Sequence, residues 1–129
     1  MKNIKINISS IVPIHSYINP DQQKEEICNN NKNKSGVYRW VNKVNAKSYI
    51  GSSASLEKRI LLYYYLSSLN RKVKGSIIIY RALLKYGHSN FRLDIIEYCE
   101  PNALFLREQY YIDILKPEYN ILKKTVVDN

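Results

Sequence analysis

Residues 36–43 and 47–53 read as two strands with the Asn45-Ala46 pair as the turn between them, a weaker hairpin signal than Asn-Gly. Asn tolerates the positive φ that a tight turn asks for. A two-residue turn sets Val44 opposite Lys47, Asn42 opposite Tyr49 and Tyr38 opposite Ser53, and opposed residues share a face. Tyr38 and Tyr49 therefore point the same way. Val37, Val41 and Ile50 occupy the other face, the natural core side. On periodicity alone the two tyrosines, with Trp40, read equally well as packing residues under a covering element.

The chain beyond the hairpin supplies that cover. A helix is expected after Ser55, as N-cap, through Tyr65 to about Asn70, with Leu56, Arg59 and Tyr63 on one face. Its first turn and dipole favour an anion, so a phosphate near Arg59 is doubly supported. Asn70 to Gly75 is a basic loop whose Arg71, Lys72 and Lys74 are candidate contacts for DNA phosphates, as Lys58 is for positive potential. Ser76 begins a second helix to Tyr86, closed by Gly87. Residues 91–99 alternate Phe91, Leu93 and Ile95 against Arg92 and Asp94, which predicts a third strand with one buried face. The last helix is capped by Asn102 and ended by Lys116-Pro117.

Residues 1–34 differ in kind. They are rich in Asn, Lys and Gln and end in Asn29-Asn30-Asn31-Lys32-Asn33-Lys34, which reads as a flexible, solvated arm. Asn19-Pro20-Asp21 can open a short helix to about Ile27 within it. The Met1 segment is basic and acid-poor, as transit peptides are, although a protein made inside an organelle needs no address.

Net charge is +9, from 20 Lys and Arg against 11 Asp and Glu, so a polyanionic partner is expected, and nucleic acid first among polyanions. Asn, Lys, Ile and Tyr dominate the composition, and all four are encoded by A/T-rich codons, as expected of an organellar genome. Cys28 and Cys99 lie far apart and form no short-spaced zinc set with His15 and His88, so both are expected as reduced thiols. No apolar run approaches the roughly 18 to 20 residues that cross a bilayer, so no membrane is expected.

One carboxylate stands out. Leu104, Phe105, Glu108, Tyr111, Ile112 and Leu115 form a single stripe on the last helix, with Glu108 in the middle of its apolar face. A buried, unpaired carboxylate costs several kcal/mol, so Glu108 needs a cation, a hydrogen-bond network or a metal ion. A structural ion pair with Arg59 or Arg107 satisfies that need as well as a metal does. Mg²⁺ accepts so thin a protein ligand set, because it keeps several waters and takes further ligands from substrate phosphates.

Gly36-Val37-Tyr38, then Tyr49-Ile50-Gly51, then Arg59, with Arg107-Glu108-Gln109-Tyr110-Tyr111 and Pro117-Glu118-Tyr119-Asn120 further on, resemble the core of a GIY-YIG nuclease, most of all the organellar, fungal mitochondrial type encoded in group I introns. The resemblance spans residues 35–122, with 123–129 as a short tail, and Val37 stands where the family name has Ile. It implies an α/β fold: a small three-stranded, mainly antiparallel sheet flanked by helices. It also implies a homing endonuclease that hydrolyses phosphodiester bonds of double-stranded DNA with Mg²⁺ or Mn²⁺, in a mitochondrion. Homing members add a C-terminal DNA-binding region, and nothing after residue 122 here could serve as one.

Roles follow from the same resemblance. Glu108 binds the ion, Arg59 holds a non-bridging phosphate oxygen, Tyr38 activates water with Tyr49 beside it, Tyr63 assists proton transfer where relatives carry His or Tyr, and Asn120 braces the site. Arg59 and Glu108 are expected to border the same cleft as the two tyrosines. A free Tyr, with a pKa of about 10, is only about one part in a thousand ionised at neutral pH, so base duty for Tyr38 depends on nearby cations. The competing readings are a non-catalytic nucleic-acid-binding protein that assists splicing of intron RNA, and a structural remnant without activity.

Overall fold

The computed structural model describes residues 11–65 and 77–120. Arg71, Lys72 and Lys74 lie outside them. The elements in chain order are β1 (His15–Tyr17), α1 (Lys24–Asn30), β2 (Gly36–Asn42), β3 (Ser48–Ser53), α2 (Leu56–Tyr64), α3 (Ile77–Tyr86), β4 (Phe91–Tyr98) and α4 (Leu104–Leu115), with single 3-10 turns at Pro20–Gln22, His88–Asn90 and Pro101–Ala103. The α/β architecture with an antiparallel sheet is as expected, but the sheet has four strands in the order β1-β4-β2-β3. None of the described helices is long and apolar enough to cross a membrane.

The hairpin forms with its register two residues from the expected one. Tyr38 faces Gly51 and Trp40 faces Tyr49, because Asn42 pairs with Lys47 and residues 43–46 all belong to the turn. Asn42 Oδ1 accepts from the Val44 N–H at 2.8 Å, and the positive φ falls on Ala46, at 66°. A shift of two leaves side-chain parity intact, so Tyr38 and Tyr49 do share a face. The assignment of the core to the Val37 side alone is corrected. Tyr38, Trp40 and Tyr49 pack with Tyr63 of α2, Leu83 of α3 and Leu93 of β4 in the larger core, while Val37 and Ile50 pack with Ile96 and Tyr111 on the opposite side. β2 is a central strand covered on both faces, which is why none of its residues is exposed.

Residues 11–34 of the segment expected as a solvated arm are built into the domain. β1 pairs with β4, setting Tyr17 opposite Leu93, and both Tyr17 and Ile27 are buried. Asn31 pins the three pieces together: its amide donates to Tyr17 Oη at 3.1 Å and to the Ile27 carbonyl at 2.8 Å, and its oxygen accepts from Tyr98 Oη at 2.8 Å. It has no solvent exposure, so each of these bonds replaces one to water.

Three further expectations change. Asp94, placed on the polar side of its strand, is 1% exposed and held by Arg39 at 2.9 Å, Arg92 at 3.0 Å and Ser16 at 2.7 Å. Neither Ser55 nor Asn102 caps a helix with its side chain: the Leu56 N–H is taken by the Lys34 carbonyl, and Asn102 sits in the 3-10 turn before α4. Phe105 is not part of the packed stripe of α4 and stands exposed.

The helix is docked instead by Glu97 of β4, which accepts from Arg107 Nε at 2.6 Å and Nη2 at 2.9 Å and from Tyr111 Oη at 2.7 Å. The Arg107 bonds hold the Glu97 carboxyl below its ordinary pKa; partial burial opposes this and the Tyr111 hydroxyl reinforces it.

Two predictions follow from this packing. Asn31→Ala should cost about 1–3 kcal/mol in urea unfolding, since it strands buried partners, whereas Asn29→Ala, at an exposed position, should stay within about 0.5 kcal/mol. Equal effects would return this stretch to a solvated arm. A depressed carboxyl contributes stability that is present above its unfolded pKa and lost as pH falls through the lower folded one. Wild type should therefore lose stability below about pH 4.5 by roughly 1 kcal/mol more than Glu97→Gln does, and superimposable acid limbs would count against Glu97 as the docking group.

Candidate active site

The residues of the site come from elements on both sides of β3, the edge strand. On one side, Tyr38 reaches across Gly51, and only a glycine permits it: a Cβ there would lie 2.5 Å from Tyr38 Oη. The Tyr38 hydroxyl shares a 2.8 Å hydrogen bond with Tyr63 Oη, and their rings meet edge to face at 5.9 Å. Tyr63 is set by α2, one turn beyond Arg59, and its carbonyl lies 2.6 Å from His88 Nε2. Arg59 hydrogen-bonds Tyr38 and is half-buried, while Lys58 on the outer face of the helix is exposed.

Charge is distributed in one sense in this cluster. Burial pushes the Tyr38 phenol well above its ordinary pKa, and Tyr49 adds to the shift; Arg59 and the bond to Tyr63 oppose it without prevailing. Burial also works against the Arg59 charge, but interaction with Tyr38, then Tyr63 and Tyr49, outweighs it and holds the guanidinium above its usual value. The cluster is a cation among neutral phenols. Tyr38 and Tyr63 have no solvent exposure and Tyr49 is 8% exposed, so Tyr49 is the tyrosine nearest to solvent.

Glu108 approaches from the other side. It accepts a short hydrogen bond from Ser52 Oγ, and Ser52 shares its face with Ile50, opposite to Tyr38 and Tyr49. A site with all its groups on one face is therefore excluded. The two halves stand at successive residues of β3, Gly51 and Ser52, and the place where they can converge is the rim of that edge strand. Neither expected structural ion pair forms: Arg107 is taken by Glu97 and Arg59 by the tyrosines, and among the described residues Glu108 makes no salt bridge.

Asn120 closes the rim. Its side chain accepts from the Ile50 N–H at 2.8 Å and donates to the Ile50 carbonyl at 2.9 Å, as a neighbouring strand would, and Glu118 accepts from the Ser48 N–H at 3.0 Å. Ser52, the partner of Glu108, was not singled out from sequence, although its parity with Ile50 placed it on that face. Glu97 and Tyr111 were missed as supports, and only the Arg107-to-Tyr111 helical spacing hinted at them. The described residues contain no cluster of three or more His, Cys, Asp or Glu that could hold a metal.

Gly51→Ala should push Tyr38 off its seat and cost about 1–3 kcal/mol on thermal or urea unfolding. Wild-type stability in that variant would show that Tyr38 does not depend on the missing side chain.

Comparison with known proteins places the fold. The chain is 30% identical over 129 aligned residues to a probable intron-encoded endonuclease bI1 of Neurospora crassa, covering 91% of this chain and 27% of that protein. It is 32% identical over 100 residues to intron-associated endonuclease 1 of enterobacteria phage T4, covering 74% and 40% respectively. The chain thus spans less than half the length of these relatives. The solved catalytic domain of homing endonuclease I-TevI superposes with a TM-score of 0.52 at 29% identity, covering 64% of this chain and 89% of that one. Residues 34–120 match the GIY-YIG catalytic domain, and the chain belongs to the GIY-YIG family.

Proposed function

We propose that this chain is a divalent-cation-dependent DNA endonuclease of intron-homing type, hydrolysing phosphodiester bonds in double-stranded DNA. The observation that carries the reading is the pairing of an Arg held ready among neutral tyrosines with a Glu free of any described ion pair, at adjacent residues of one strand rim. A phosphodiester has an anionic oxygen for the first and, through a cation, an oxygen for the second.

The donor set suits Mg²⁺ or Mn²⁺. Glu108 and the Ser52 hydroxyl would hold it as oxygen ligands or through water, and the rest of the shell is water and phosphate. Bound there, such an ion supplies Lewis-acid polarisation of the phosphoryl group and stabilises the departing oxygen.

The chain's own residues do the remainder. Arg59 binds a non-bridging oxygen and answers the charge that builds on it. Tyr49, the least buried phenol, orients the attacking water or the phosphate. Tyr38 is moved from the water-activating role to a positioning one: it is fully buried, it keeps its proton, and with Tyr63 it fixes the Arg59 fork. Asn120 holds the rim in shape, and Lys58 adds positive potential. The net charge of +9 suits a DNA partner, and A/T-rich coding with the likeness to a fungal intron-encoded protein supports a mitochondrial origin.

The test uses supercoiled DNA carrying the host intron junction, with Mg²⁺ or Mn²⁺. Glu108→Gln should abolish cleavage while DNA binding survives within a few-fold. Arg59→Ala should lower the cleavage rate by about 10²–10³. The double variant should be little worse than the poorer single one, because both groups act on one phosphate. A folded, DNA-bound wild type that cuts nothing with either ion would make the chain a binding module for DNA or intron RNA instead.

A further inference from the structure

Three arginines elsewhere, Arg39 and Arg92 on the sheet and Arg107 on α4, are engaged in ion pairs. Arg39 and Arg92 share Asp94, and Arg107 is engaged by Glu97. For that reason a cavity of about 660 Å³ on the α4 side of the sheet, whose two guanidinium groups share its lining with Asp94 and Glu118, is a poor anion site. A smaller concave site of about 220 Å³ differs. It lies between the hairpin turn and α3, is lined by Lys47, Arg81 and Lys85 with no acidic residue, and has Tyr86 and Tyr119 in its wall. Among the described residues none of these three cations is in a salt bridge, and all three are exposed. Lys85 Nζ sits over the Tyr86 ring at 5.3 Å, which leaves its other donors free.

Its position relates it to the rim. Lys47 immediately precedes β3, its carbonyl accepting from the Asn42 N–H at 2.8 Å, and it stands two residues, about 7 Å, before Tyr49. Tyr119, in the wall, is buried and accepts from Asn42 Nδ2 at 3.1 Å, and the next residue is Asn120, which seals Ile50. The cleft and Tyr49 therefore lie on the same side of the sheet, the side covered by α2 and α3.

From this geometry we infer that the Lys47–Arg81–Lys85 cleft binds the backbone phosphate of the DNA strand one or two nucleotides from the bond that is cut. Unpaired cations over an apolar, tyrosine-bearing floor suit a phosphate with its attached sugar. The cleft fixes the register of the duplex along β3 and carries no sequence preference.

The inference rests on the endonuclease reading for its position relative to the cut, but its test does not need cleavage. Binding of a short duplex is measured in EDTA over a salt series. The triple variant Lys47→Gln/Arg81→Gln/Lys85→Gln should lower the slope of log affinity against log salt by about 0.9 for each phosphate lost, one or two in all. A charge-matched variant, Lys24→Gln/Lys32→Gln/Lys116→Gln, removes three cations that do not line the cleft and should leave the slope unchanged. Equal slopes in wild type and the cleft variant, or equal losses in the two variants, would overturn the proposal. If the triple variant fails to fold, Lys47→Gln and Lys85→Gln taken singly apply the same criterion with a smaller change. A wild type that never cuts refutes the nuclease reading by itself, and the slopes still decide the cleft.

Discussion

The outer edge of β3 is the constraint on which the rest of the site depends. An edge strand turns alternate backbone N–H and C=O groups away from the sheet, and left bare they invite another strand. Here they are answered by side chains: Asn120 takes both groups of Ile50, and Glu118 takes the N–H of Ser48. A side-chain amide satisfies the backbone without adding a strand, so the rim remains open to a ligand as bulky as a nucleic-acid backbone. The segment that follows α4 is therefore part of the site, although its residues belong to no strand.

A second constraint comes from burial on both faces. With β2 covered on each side, one face of the hairpin must fit under α2 and α3 and the other under α4, and close approach decides where side chains can go. Gly36 permits the close approach of β4: a Cβ there would overlap the Glu97 carbonyl oxygen, at the bulge where the β2–β4 register slips between Val37 and Tyr38. Gly51 permits the packing under α2 and α3 by admitting the Tyr38 hydroxyl. The two glycines of the paired tripeptides thus act through space they leave unfilled.

Much of this was legible in the sequence, and the reasons for the rest are physical. Parity survived a wrong turn length because side chains alternate with a period of two and the error was two residues. The three residues of β1 are too few to show alternation, and Asn31 in a run of Asn and Lys looks like its solvated neighbours until Tyr17 and Tyr98 are brought to it. Asp94 was misplaced for a related reason: a buried acid is legible only through its partners, and Arg39 lies 55 residues away in sequence. Glu108 was found because a carboxylate inside an apolar stripe demands explanation. The side of the sheet it would occupy was not legible, since that depends on how α4 docks through Glu97.

That docking has an electrostatic consequence. Had Glu108 stood on the Tyr38 face, a salt bridge to Arg59 would have satisfied both charges, and breaking it to admit a phosphate would leave each to be compensated anew. Placing them on opposite faces of one edge strand prevents the short circuit. Arg59 is held by neutral phenols, which orient it without cancelling its charge, and Glu108 by a serine hydroxyl, which does the same for a carboxylate. On the proposed reading, an incoming phosphate, with a cation to match the Glu, would bring the missing partner for each group at the same moment. The thickness of a single β-strand keeps both available until then.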